Sequence, residues 1–98
     1  VVTNGLGQFY SNVGQMYYFM EKNTEARTYL EKAIACFEKN GYYWGLERAE
    51  AYMALVLLRF DEKEQAKKHY KKAVSLTEKM NNPTTVSVIR QISKEAGF

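Results

Sequence analysis

Few side chains in this chain could do chemistry. It carries one His and one Cys. His69 lies between Lys68 and Tyr70 in a run of lysines, and it reads as a solvent-facing imidazole rather than a general base. Cys36 lies near the end of a helical stretch, where a small buried or half-buried thiol is the expected state. The sequence has no His, Cys or carboxylate spacing suited to a metal. It also lacks a Gly-rich phosphate loop and a nucleophile motif. Gly5-x-Gly7 lacks the preceding strand and the remainder of a dinucleotide fingerprint. The expectation is a non-catalytic chain with no cofactor and no metal.

The other chemical signal is basic. Lys63, Lys67 and Lys71 align at spacings of four, as do Lys68 and Lys72. Phosphate could bind such a strip, but no aromatic or amide pattern for reading bases accompanies it. Glu64, four residues before Lys68, offsets part of the charge. A solvated face is expected, with no specific nucleic-acid site. The net charge of +3 is too small and too spread to argue otherwise. With 46% hydrophobic and 26% charged residues, the composition is that of a soluble globular protein. A lone cysteine cannot close an internal disulfide, so a reducing, cytoplasmic setting is expected. The longest apolar run, Ala51 to Leu58, is too short to span a bilayer, so no membrane partner is expected. Val1 in place of Met reads as a segment cut from a longer chain.

These side chains are held on a repeated unit. Ala26, Leu30 and Ala33 are answered forty residues later by Ala66, Tyr70 and Ala73. Lys32/Lys72, Glu38/Glu78, Lys39/Lys79 and Gly5-Leu6/Gly45-Leu46 keep the same offset. A period of a few tens of residues signals a solenoid. Val1 to Asn4 reads as an irregular lead-in. From about Gly5 to Met20, Leu6, Phe9, Tyr10, Val13, Tyr17 and Met20 form a helical stripe. Gly14 within it implies close approach of another helix. Asn23 or Thr24 is expected to cap a second helix that buries Ala26, Leu30, Ala33, Ile34 and Phe37. Asn40-Gly41 should end it. A third helix over about Tyr43 to Phe60 has Leu46, Ala49, Met53, Ala54, Leu57 and Phe60 as its core stripe. Asp61-x-x-Glu64 reads as a capping box for a fourth helix, with Ala66, Tyr70, Ala73, Val74 and Thr77 inward. Asn82-Pro83 opens a fifth helix, with Val86, Ile89, Ile92 and Ala96 as its apolar edge and Ser87, Arg90, Gln91 and Lys94 outward.

Two antiparallel helices per copy, with small residues where they cross, resemble the tetratricopeptide repeat. The first copy supplies Tyr10, Val13-Gly14, Tyr17, Ala26, Leu30 and Ala33. The second supplies Met53-Ala54, Leu57, Ala66, Tyr70 and Ala73. The implied fold is all-α: a solenoid of two antiparallel helix pairs plus a C-terminal capping helix. It forms a single domain over 1–98, with repeats at about 5–40 and 45–80 and the cap at about 83–96. Two features depart from the family pattern. The period is 40 rather than 34, and Glu38 and Glu78 stand where the consensus Pro would end the second helix. Long repeats of this kind, with a stretch such as Gly45-Leu46-Glu47-Arg48-Ala49, are similar to those of bacterial peptide-responsive (quorum-sensing) regulators. They are also similar to the long eukaryotic repeats of kinesin light chain and spindle-orientation adaptors.

The resemblance further implies that the first helix of each pair lines a concave groove. Gln8, Ser11, Asn12, Gln15 and Phe19 would face it from the first copy, and Arg48, Tyr52, Leu55 and Arg59 from the second. The implied partner is a peptide or protein segment. The family's carboxylate clamp needs Lys and Asn where Ser11 and Gln15 stand, so an acidic C-terminal tail is not the expected ligand. The leading expectation is a binding module, the sensor or scaffold part of a larger bacterial regulator. The alternative is a structural module that self-associates, as a homodimer, through Phe9, Met16 and Phe19 on its first helix.

Overall fold

A computed structural model of the chain describes residues 5–41 and 43–98, so the expectation for Val1 to Asn4 lies outside the described residues. Five helices follow one another: α1 (Gly5–Phe19), α2 (Asn23–Asn40), α3 (Leu46–Arg59), α4 (Lys63–Met80) and α5 (Pro83–Ala96). No strand occurs among the described residues. α1 packs on α2 and α3 on α4, α2 joins the two pairs through α3, and α5 lies against both α3 and α4. No described helix is long and apolar enough to cross a membrane.

The two pairs are closed by the same turn, forty residues apart. Glu21 and Asp61 take left-handed backbone angles, φ 60° and 59°. The Glu21 N–H donates to Tyr18 O and the Lys22 N–H to Tyr17 O, at 3.0 and 2.9 Å. The Asp61 N–H donates to Leu58 O and the Glu62 N–H to Leu57 O, at 3.1 and 3.0 Å. This pairing satisfies the last carbonyls of one helix while reversing the chain. It also corrects the expected caps. Lys22 and Glu62 are the residues before α2 and α4, and neither helix has a side-chain cap. Once Asp61 is committed to the turn, helix entry shifts to Glu62, and the Asp61–Glu64 box loses its register. The other expected ends are present: Gly41 at φ 65° ends α2, and the Asn82 side chain accepts the Thr84 N–H at 3.0 Å ahead of Pro83. α3 begins at Leu46, three residues later than expected. Gly45 at φ 101° breaks the helix there, and its N–H donates to the Glu47 carboxylate at 3.2 Å.

The inner face of α1 differs from the expected stripe. Its buried residues are Gly7, Ser11, Gly14 and Tyr18, while Leu6, Phe9 and Met20 are exposed and Tyr10, Val13 and Tyr17 are half-buried. The reason is α2, which crosses on the small residues. A Cβ on Gly14 would lie 2.7 Å from Leu30 Cγ, and one on Gly7 would lie 3.0 Å from Phe37 Cε1. In the second pair Phe60, also expected inside, is 36% exposed, and the Arg27 guanidinium covers its ring at 5.1 Å. Met53, Ala54, Leu57, Ala66 and Ala73 are buried as the repeat pattern requires. α5 sits in the angle between α3 and α4. Thr85, Val88 and Ile92 are therefore its buried line, and Val86, Ile89 and Ala96 flank it half-buried.

Candidate functional site

α3 is the helix on which the expected groove depends. It touches all four other helices, and every residue from Leu46 to Leu57 except Arg48 is buried. The groove residues separate into two groups along it. At the C-terminal end, Phe19 is 67% exposed, and its ring meets Tyr52 edge-on with centroids 5.8 Å apart. Tyr52 is 8% exposed and also meets Tyr18 edge-on at 5.6 Å. The Arg59 guanidinium lies over Tyr18, 3.7 Å from the ring centroid. It donates to Tyr18 O at 2.6 Å and to Asn23 Oδ1 at 2.9 Å. Leu55, 3% exposed, lines a notch of about 330 Å³ with Tyr18, Leu58, Arg59 and Glu95, so α1, α3 and α5 all contribute to its wall. Burial raises the Tyr52 phenol pKa above its ordinary value, and Arg48 nearby partly opposes this.

The N-terminal end is built differently. Gln8 Nε2 donates to Trp44 O at 3.1 Å, which ties α1 to the loop before α3. Gln15 Nε2 donates to Ser11 Oγ at 2.9 Å. Ser11 itself is buried on the inner face of α1, so it is not a groove residue as expected. Asn12 is exposed and Arg48 half-buried. The structure thus gathers Phe19, Tyr52, Leu55 and Arg59 into one cluster with Arg48 near Tyr52, while Gln8 and Gln15 are held by Trp44 and Ser11 instead.

The model of the tetratricopeptide repeat family matches residues 6–79. The chain belongs to the tetratricopeptide repeat family. The match covers both helix pairs, and repeats of this family bind protein partners. A type II methyltransferase of Rhodococcus hoagii, M.CeqI, is 29% identical over 82 residues, which is 84% of this chain and 16% of the relative. The chain therefore spans about a sixth of that relative's length. No solved structure matches.

Among the described residues no cluster of three or more His, Cys, Asp or Glu side chains could hold a metal ion. The expected lysine strip is exposed along α4 at Lys63, Lys67, Lys68, Lys71 and Lys72. His69 corrects its own expectation. Instead of facing solvent, its Nδ1 bonds to Oε1 of Glu50, whose side chain is wholly buried in α3. Nothing local marks that pair, because nineteen residues and a turn separate its members. The repeat offset does mark it: Tyr10 and Tyr29 hold the equivalent places in the first pair, with ring centroids 6.0 Å apart.

Proposed function

We propose that this tetratricopeptide chain is a non-catalytic module. In this reading a peptide or protein segment binds across α1, α3 and α5, anchored at the Phe19–Tyr52–Arg59 cluster. The observation that carries the reading is the cluster itself. An exposed phenylalanine stands on buried tyrosine rings, and an arginine is held in place beside it by a ring face and two hydrogen bonds. Aromatic and arginine side chains pre-ordered in this way give contact area at little entropic cost. The notch between Leu55, Arg59 and Glu95 offers a socket for one partner side chain. The match to about a sixth of a much longer protein supports reading the chain as one module of a larger one, and a bacterial cytoplasmic regulator is the setting we favour for it. Selection of displayed peptides against the chain is the test. Selected peptides should lose at least about 1 kcal/mol of binding on Phe19→Ala or Arg59→Ala and none on Lys67→Ala. Equal binding by all three variants would remove the site.

A second reading rests on a separate observation. Leu6, Phe9 and Met16 on α1, and Met20 just past its end, are exposed in addition to Phe19. An apolar face of this kind favours pairing of two copies about a twofold axis. Light scattering on dilution tests it: the mass should fall towards monomer with Phe9→Ser and Met16→Ser. A monomer at high concentration in the parent chain refutes it.

A further inference from the structure

The buried carboxylate of Glu50 has one oxygen on His69 and the other, Oε2, without any hydrogen-bond partner. A wholly desolvated carboxylate oxygen left in this state is unfavourable, so it calls for a physical account. Glu50 forms part of the wall of a cleft of about 300 Å³ between α2 and α4, where these helices straddle α3. Glu38, Tyr43, Leu46, Lys72 and Leu76 line the rest, and no residue of α1 or α5 takes part, so this cleft is separate from the Phe19 cluster. The ionisable side chains that line the cleft are those of Glu38, Glu50 and Lys72, together with the Tyr43 phenol. Lys72 makes no ion pair among the described residues and is exposed.

The first helix pair shows what this position receives. There Lys32, forty residues before Lys72, places its Nζ over both tyrosines, 5.6 Å from the Tyr10 centroid and 5.2 Å from that of Tyr29. A cation covers two aromatic faces. In the second pair the same three positions are Glu50, His69 and Lys72. A carboxylate has replaced a ring face, and the attraction for positive charge is stronger.

We propose that the cleft between α2 and α4 binds an amphiphilic organic cation, a guanidinium or primary ammonium on a short alkyl stem. Glu50 Oε2 takes the head, and Tyr43, Leu46 and Leu76 flank the stem. A planar guanidinium suits this best, because it can donate to a carboxylate and still lie on an aromatic ring. Lys72 is the internal competitor, by analogy with Lys32.

The probes are n-butylguanidinium chloride and a capped Gly-Arg-Gly peptide, followed through the His69 ring and Leu76 methyl NMR signals at constant ionic strength. Saturable shifts with n-butylguanidinium and none with n-butanol are expected. Binding of the peptide as well would assign the cation to a partner's side chain; binding of the small cation alone would assign it to a free ligand. Glu50→Gln should weaken binding at least tenfold, and Lys72→Gln, a surface change, should tighten it severalfold. If Glu50→Gln does not fold, Lys72→Gln carries the test alone. Shifts that never saturate, or that are unchanged in Lys72→Gln, overturn the proposal.

Discussion

Replacing Gly14 by Ala sets two known effects against each other at one site. Alanine is the better helix former by about 1 kcal/mol, so propensity alone predicts a more stable chain. The packing says the reverse. The new Cβ would lie 2.7 Å from Leu30 Cγ, 3.0 Å from its Cδ2 and 3.2 Å from its backbone N, whereas carbon atoms rest at about 3.5–4.0 Å. Cγ is the branch point of a fully buried side chain, and the backbone nitrogen moves only with α2. Relief therefore requires the two helices to part. Overpacking of this sort costs roughly 1–3 kcal/mol, which leaves a net loss of about 1 kcal/mol and a fall in Tm of about 4–8 °C. Thermal melts followed by circular dichroism give the sign. A double-mutant cycle gives the cause: Leu30→Ala removes the obstructing atoms, so it should cost less in the Gly14→Ala background than alone, by about 0.5–3 kcal/mol. A Gly14→Ala chain that melts above the parent, with additive effects in the cycle, would refute close approach at this crossing.

Ala54 is the corresponding residue of the second pair and is wholly buried; Ala54→Leu should cost roughly 1–3 kcal/mol by overpacking in the same melts. Tyr52 gives a prediction at high pH. Its pKa in the folded chain is raised above the ordinary 10.0 by burial, so the unfolded state gives up its proton first. Stability is unaffected by this group below about pH 10 and falls as pH rises from there through the folded pKa. Ultraviolet titration of the eight tyrosines should show a late-ionising phenol that Tyr52→Phe removes; an unchanged titration curve would contradict the assigned burial.

The repeat offset, the small residues at the crossings and the ends at Gly41 and Asn82-Pro83 were all legible in the sequence, because each is a local or periodic constraint. The orientation of α1 was not. Leu6, Phe9 and Met20 look like a core stripe, but α1 buries Gly7, Ser11 and Gly14, residues that carry little hydrophobic signal, and α2 approaches closely at the two glycines. The burial of Tyr52 and Leu55 comes from neighbours of α3 that are distant in sequence, α5 among them, and no local pattern reports that. Asp61 illustrates a different failure. Asp three residues ahead of Glu is a sound capping signal, yet the left-handed turn takes Asp61 for itself. The Glu50–His69 bond was invisible to residue-type reasoning and visible only as a place where both copies of the repeat change together.

A chain of units with the same fold must also encode which unit follows which. Arg27 of α2 grips Glu62, in the turn of the next pair, through two hydrogen bonds of 2.6 and 3.3 Å, and Glu62 holds the guanidinium all the more firmly protonated. Forty residues on from Arg27 stands Lys67, and forty before Glu62 stands Lys22. Placed in reverse order, the two units would bring Lys67 against Lys22, a repulsion where the native order has an attraction. Both partners are partly exposed, so the pair contributes little to stability, about 1 kcal/mol or less. Its effect is directional: the junction reads as an address, and a circularly permuted chain with the units exchanged would carry the wrong one.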